Sequence, residues 1–347
     1  MKISIGTNIK EGPWGGGNLF AINLKNFLES KEVEVINHLR HDDIDLILIT
    51  EPRKTSESSA FTHQQVINYL KYVNNETLIV HRINECDERK DTNYINKYII
   101  EANKVADYTI FVSTWLKNIY TEQGMEEKNK KVILSGSDTS IFNSKDFIPW
   151  DEREKLSIVT HHWGANWNKG FDIYEYIDKL LDQEYWKNKI EFNYIGNLPE
   201  KFNFKNVKVY KPLSGKTLAD QIKKSHLYIT ASVNEPSGNH HIEGALCGLP
   251  VMYRNSGGIP EYCQGFGLEY KMENFEIKLK EMMEGYKKYT NLLKEYPYKA
   301  DKMSKDYYDL FNFILQNKEK IILDRDIDLR SNNFISTLYK RIKIQSL

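Results

Sequence analysis

An α/β fold of two doubly wound, parallel-sheet domains is predicted for this chain on three observations. Short β-branched runs alternate with longer helical patterns along the sequence, and the same scheme is repeated in both halves. The third is length: 347 residues exceed one ordinary core and suit two domains. Strands separated by helices pair in parallel, because parallel neighbours need a crossover between them.

The first half opens on the strand "KISIGT" (2–7). The helix "NLFAINLKNFLES" follows, with apolar residues at Leu19, Phe20, Ile22, Leu24, Phe27 and Leu28. Next come the strands "VEVIN" (33–37) and "DLILIT" (45–50), a helix over 62–73, and the strand "TLIVHRI" (77–83). A helix over 93–105, the strand "YTIFVS" (108–113), a helix over 114–122 and the strand "KVILSG" (131–136) complete this half. A joint is expected near "SIFNSKDFIPWDER". The second half begins with the strand "KLSIVTHH" (155–162), then a helix over 172–183 and the strands "IEFNYIG" and "VKVY". A helix over 215–224, the strand "LYITAS" (227–232), a helix over 240–247, the strand "PVMYR" and long helices from 273 onward close the pattern. Domains of 1–145 and 150–314 are expected, with a segment of about 315–347 returning to the first. Ligands of such folds bind at the carboxyl ends of strands, so the cleft between the domains is the expected site.

Composition narrows the classes. Forty-eight basic residues balance forty-eight acidic ones, which argues against a general nucleic-acid binder. The longest apolar runs are strand-length, too short to cross a bilayer, and the N-terminus lacks the apolar stretch of a signal peptide. Cys86, Cys247 and Cys263 fit neither a disulfide framework nor zinc spacing. A cytoplasmic location is expected, with at most a peripheral membrane contact through "FISTLYKRIKIQSL", for which docking on the protein or an oligomer contact is the competing reading. Residues 1–150 carry 18 Lys/Arg against 21 Asp/Glu and give no anionic-membrane signature.

Three strand-to-helix turns could receive an anion or a sugar. Gly15 to Gly17 let a ligand approach the first helix closely, a flexible loop being the alternative. The turn "THHWGANWNKGFDIY" offers Lys169 as a point charge. The third, "ASVNEPSGNHHIEGALC", ends a strand and starts a helix. There the backbone N–H groups of Asn239, His240 and His241 would point into the cleft, and Glu235 and Glu243 could grip paired sugar hydroxyls. Against this stand a helix-start role for Glu243 and satisfied polar roles for the histidines. Asp-x-Asp pairs at Asp43/Asp45, Asp324/Asp326 and Asp326/Asp328 open a strand or lie in a late charged segment, and none is read as a metal site.

As a set these residues resemble the retaining glycosyltransferases of family 4, whose GT-B fold faces two Rossmann-like domains across a cleft. The resemblance covers most of the chain. It rests on "PWGGGNLFAINL", "FVSTWLKNIY", "LSGSDTSIFN", "NKGFDIY" and above all Glu235-x7-Glu243 continuing into "EGALCGLPVMYRNSGGIPE". It implies that Glu235 meets the donor sugar hydroxyls, Glu243 the nucleotide ribose and Lys169 the leaving diphosphate. Gly16 and Gly17 would border the phosphates and the acceptor. Ser237, Gly238, Asn239 and His240 would supply amides to the sugar and phosphates, and Pro212 and Leu213 would border the base. In the first domain "IVHRINECDER" occupies the place beside the reacting carbon. Both His81 and Asn84 fit; His81 is assigned there with Arg82 and Asn84 lining the same pocket, against a core-histidine reading.

The chain departs from the family pattern in two places. Trp163 stands where many members have a second phosphate-binding arginine, leaving Arg254 or a histidine such as His162 to substitute. "EPSGNHH" replaces the commoner "EGFGL". The implied reaction is transfer of a hexose, with retention, from a UDP- or GDP-sugar co-substrate to a hydroxyl of a saccharide, lipid-linked or other glycoconjugate acceptor. No tightly bound cofactor and no metal is implied. A catalytically silent GT-B subunit that binds nucleotide sugar or a partner is the alternative.

Overall fold

Most of the β-branched runs become strands shielded on both faces. The computed structural model describes residues 1–325 other than Glu11, Pro13 and residues 127–128. The first sheet comprises β1 (Lys2–Ile5), β2 (Glu34–Ile36), β3 (Leu46–Ile49), β4 (Leu78–Ile83), β5 (Tyr108–Phe111) and β6 (Lys130–Val132), in the order β2-β1-β3-β4-β5-β6. The second comprises β7 (Leu156–His162), β8 (Ile190–Gly196), β9 (Lys208–Tyr210), β10 (Leu227–Thr230), β11 (Val251–Arg254) and β12 (Gly267–Tyr270), in the order β12-β11-β10-β7-β8-β9. Every pairing within them is parallel.

Alternation along the strands sorts the first core into two layers. Ile3, Leu46, Leu48, Leu78 and Val80 join Phe20, Ala21, Leu24 and Leu28 of the helix Gly16–Glu29. Ile47, Ile49 and Ile79 join Val66, Tyr69 and Leu70 of the helix His63–Tyr72 on the other face. The helix Ala300–Gln316 also belongs to the first sheet, since its stripe of Met303, Tyr307, Leu310, Phe311 and Ile314 lies in that core. The return to the first half therefore starts at Ala300, ahead of the expected 315, because this 3.6-period stripe needs an apolar face to cover.

The two chain crossings between the halves run side by side. Ala300 N–H donates to the Ser137 carbonyl at 2.9 Å, and a Cβ on Gly136 would stand 2.3 Å from the Lys299 carbonyl oxygen. The short helices Asp87–Lys90, Glu184–Lys189 and Ile259–Cys263 and the edge strand β12 escape the periodicity reading, being too short to show a period. The amphipathic segment 334–347, Asp326 and Asp328 lie outside the described residues.

Candidate active site

The strand order of the second sheet reverses at β7, which has β8 on one side and β10 on the other. The loops leaving β7 and β10 meet there, at the carboxyl ends of the strands, which is the crevice where ligands of such sheets bind. The β7 loop ends in a 3₁₀ turn, Trp167–Lys169, closed by Gly170 at φ 102°. A side chain at Gly170 would meet Ala231 Cβ at 2.3 Å, so the close approach of the two loops requires glycine. The β10 loop carries Glu235 and opens the helix Asn239–Leu246 at Gly238 without a side-chain cap.

Lys169 and Glu235 meet in this crevice, 8% and 4% exposed, with Nζ donating to Oε2 at 2.5 Å. A second cation arrives from the other half: Arg89 Nε lies 3.2 Å from Glu235 Oε1. Burial alone would raise the Glu235 carboxyl, but Arg89 and Lys169 outweigh it and hold the pKa at about 2. Arg89 sits on the helix Asp87–Lys90, and its Nη1 is 3.4 Å from both Glu85 carboxylate oxygens. Asn168 Nδ2 donates to the Arg89 carbonyl at 3.3 Å and Asn234 Nδ2 to the Glu88 carbonyl at 3.1 Å, which docks this helix on the crevice.

Glu243 is buried, with its carboxylate Oε2 2.8 Å from His161 Nε2; the other ring nitrogen of His161 is 3.0 Å from the Tyr228 hydroxyl. His162 lies 2.8 Å from the Tyr174 hydroxyl, and His240 Nε2 2.7 Å from Thr230 Oγ1. His241 has no hydrogen-bond partner at either ring nitrogen, and burial lowers its pKa to about 3. Burial likewise holds His162 and His240 well below the usual histidine range. Among the described residues no three His, Cys, Asp or Glu side chains converge as a metal site.

The remaining expected residues divide. Gly16 faces Asn239 across the cleft: a Cβ there would be 3.3 Å from Asn239 Cγ. The helices starting at Gly16 and Asn239 thus bring two uncapped N-termini together. Gly17, next along the first helix, has open space where a Cβ would project. Ser237 accepts from Ser135 Oγ at 3.3 Å. Pro212 and Leu213 are half-buried before the helix Gly215–Ile222, with Leu213 packed on an apolar cluster. Arg254 is engaged elsewhere, its Nη2 2.5 Å from Asp172 Oδ2.

His81, Arg82 and Asn84 do not converge on one pocket. His81 is 1% exposed within β4, with Nδ1 2.9 Å from Asn103 Oδ1, and burial lowers its pKa to about 4. Arg82, the next residue along the strand, emerges on the opposite face with its guanidinium carbon 3.9 Å from the Phe20 ring centroid. Asn84 follows the strand, half-buried. Arg89, which the sequence pattern does not single out, does reach the crevice. Its signal is the charge-dense "ECDERK" directly after a fully buried strand.

The domains meet in a closed arrangement. The Glu261 carboxylate accepts from the N–H groups of Thr114 and Trp115 at 2.8 and 2.9 Å, capping the helix Thr114–Glu122 from across the gap. The Tyr262 hydroxyl donates to the Val112 carbonyl at 2.5 Å and accepts from Ser135 N–H at 2.9 Å. At the mouth, Trp14 and Trp163 stand with ring centroids 6.3 Å apart.

No protein-family model matches the chain, and no curated protein sequence matches it. Solved structures do. Anabaena HepE in complex with UDP and glucose is 15% identical, with a TM-score of 0.65 over 90% of this chain and 100% of that one. Sucrose-phosphate synthase from Thermosynechococcus elongatus is 12% identical, with a TM-score of 0.60 over 91% and 99%. An alpha-glucosyltransferase in complex with UDP and a 13-mer DNA is 12% identical, with a TM-score of 0.62 over 90% and 99%. The two facing Rossmann-like units of this chain form a GT-B fold.

Proposed function

We propose that the chain is a retaining hexosyltransferase that uses a UDP- or GDP-sugar and an acceptor hydroxyl, in glycan or glycoconjugate synthesis. The observation that carries this reading is the buried Lys169–Glu235 pair at the switch point of the second sheet, beside the uncapped helix start at Asn239. Several of the similar solved structures hold UDP or UDP-glucose, which supports a nucleotide diphosphate in the corresponding cleft.

In this reading Lys169 and the first N–H groups of the helix Asn239–Leu246 meet the diphosphate. Glu235 grips the sugar hydroxyls, and Glu243, oriented by His161, grips the ribose. The anomeric C–O bond breaks with its electron pair going to the diphosphate oxygen. The acceptor oxygen bonds to the same carbon on the same face, and its proton passes to the departing phosphate. Lys169 and backbone amides meet part of the charge on the leaving group, and the reaction as proposed calls for no metal and no tightly bound cofactor. The closed domains exclude water that would otherwise hydrolyse the donor.

The test is binding and slow hydrolysis across UDP-, GDP- and ADP-sugars, with Glu243→Ala alongside. One donor should bind and release its nucleotide diphosphate, and the variant should bind it about 10- to 100-fold more weakly through loss of a charged hydrogen bond. Binding without release, even with acceptor extracts, would point to a silent subunit. No nucleotide binding would end the proposal.

A further inference from the structure

The crevice needs more positive charge than the second domain supplies. A nucleotide diphosphate carries two or more negative charges, and a further one develops as the anomeric C–O bond breaks and the electron pair passes to the β-phosphoryl oxygen. Of the cations considered for it, Lys169 is present at Glu235, while Arg254 is committed to Asp172 and His162 is held neutral by burial. Trp163 next to Gly164 contributes no charge, although Gly164 stands against Lys169: a Cβ on it would be 3.6 Å from Lys169 Cε.

Arg89 reaches the same carboxylate from the other domain. Glu235 thus bridges Lys169 with one oxygen and Arg89 with the other, while Glu85 shares Arg89 and also holds Lys90 Nζ at 2.6 Å, so three cations surround two carboxylates. Arg89 Nε is buried and, at 3.2 Å from Glu235, lacks a well-directed hydrogen-bond acceptor. Lys169 and Arg89 flank one carboxylate between the two domains, the charge arrangement that an anionic ligand would meet there.

We propose that Arg89 is the second diphosphate-binding cation, contributed by the N-terminal domain, and that Glu235 holds its place until donor arrives. The proposal rests on the glycosyltransferase reading above. On donor binding, phosphoryl oxygens replace the Glu235 carboxylate between Lys169 and Arg89, and Glu235 turns to the sugar hydroxyls. The full charge complement exists only with the domains closed, because Arg89 and Lys169 belong to opposite sides of the cleft. Donor is therefore held tightly only where water is excluded, which limits wasteful hydrolysis.

The experiment compares nucleoside diphosphate with monophosphate binding by calorimetry on the full chain, using UDP against UMP and GDP against GMP. Arg89→Ala should weaken the diphosphate about 10- to 100-fold and leave the monophosphate within about threefold, since one charge-assisted contact is lost. In that background Trp163→Arg, which adds a guanidinium next to Gly164 on the Lys169 loop, should restore much of the diphosphate affinity. If Arg89→Ala does not fold, Arg89→Gln carries the same comparison. Equal losses for mono- and diphosphate would reduce Arg89 to a structural tether of Glu235 and overturn the proposal, as would an unchanged diphosphate affinity. If the unaltered protein binds no nucleotide at all, the glycosyltransferase reading fails and this inference with it.

Discussion

Glu235 and the buried histidines respond to acid in the same direction for different reasons. Glu235 has a carboxyl held at about 2 against an ordinary value of 4.5, so its stabilising contribution is complete above about pH 4.5 and is lost as pH falls toward 2. His81 and His241 are kept neutral by burial, at about 4 and about 3 against 6.5. Below pH 6.5 the unfolded chain takes up protons that the folded one refuses, so stability should fall as pH drops. Each histidine contributes at most ~1.4 kcal/mol per pH unit. Urea unfolding should show a loss of about 2 kcal/mol or more between pH 7 and pH 5, reduced in His81→Gln relative to its own pH 7 value. A flat profile over that window would show these histidines are not buried as described. The turns that carry Lys169 and Glu235, and the helix start before Glu243, were legible in the sequence because each follows a strand end. The side of the sheet on which His81 emerges was not legible, since it depends on which strand face each helix covers.

Among the elements, the short helix Ile259–Cys263 has an effect beyond its length. Its Glu261 caps a helix of the opposite domain, and its Tyr262 bonds the strand-end carbonyl of Val112. Glu261→Ala should remove a cap worth ~0.5–2 kcal/mol. The loss should show as a shift toward open domains, read as a larger radius of gyration in solution scattering with unchanged far-UV circular dichroism. An unchanged radius would mean that the crossings at Ser137 and Lys299 alone set the closure. The run "GGIPE" is readable as a turn, but its role across the gap is not, because capping depends on a partner more than a hundred residues away. The helix Asp87–Lys90 is not legible for a related reason: four residues show no period, and its value lies in delivering Arg89.

For the whole molecule, the C-terminal return ties the halves. Arg325 donates to both Asp107 carboxylate oxygens at 2.8 and 2.7 Å and to the carbonyls of Asn75 and Thr77 at 2.6 and 2.8 Å. The two side chains are 4% and 3% exposed. Arg325→Ala would leave the Asp107 carboxylate buried without its cation and should cost ~3–5 kcal/mol, measured as a lower urea midpoint of the full chain. A change below ~1 kcal/mol would show that water reaches Asp107 freely. Closure and this return act together: one sets the cleft, the other locks the first sheet under the helix Ala300–Gln316.

The parallel α/β alternation, the two halves, the loops that hold Lys169 and Glu235 and the helix that holds Glu243 were determined by the sequence alone. Those features are written in local periodicity and in glycines at strand ends, which act over a few residues. Tertiary structure decided the strand order that puts β7 beside β10, the commitment of Arg254 to Asp172, the burial of His81 against Asn103 and the arrival of Arg89 at Glu235. Each of these depends on burial and charge shared by groups distant in the chain, which residue spacing does not encode.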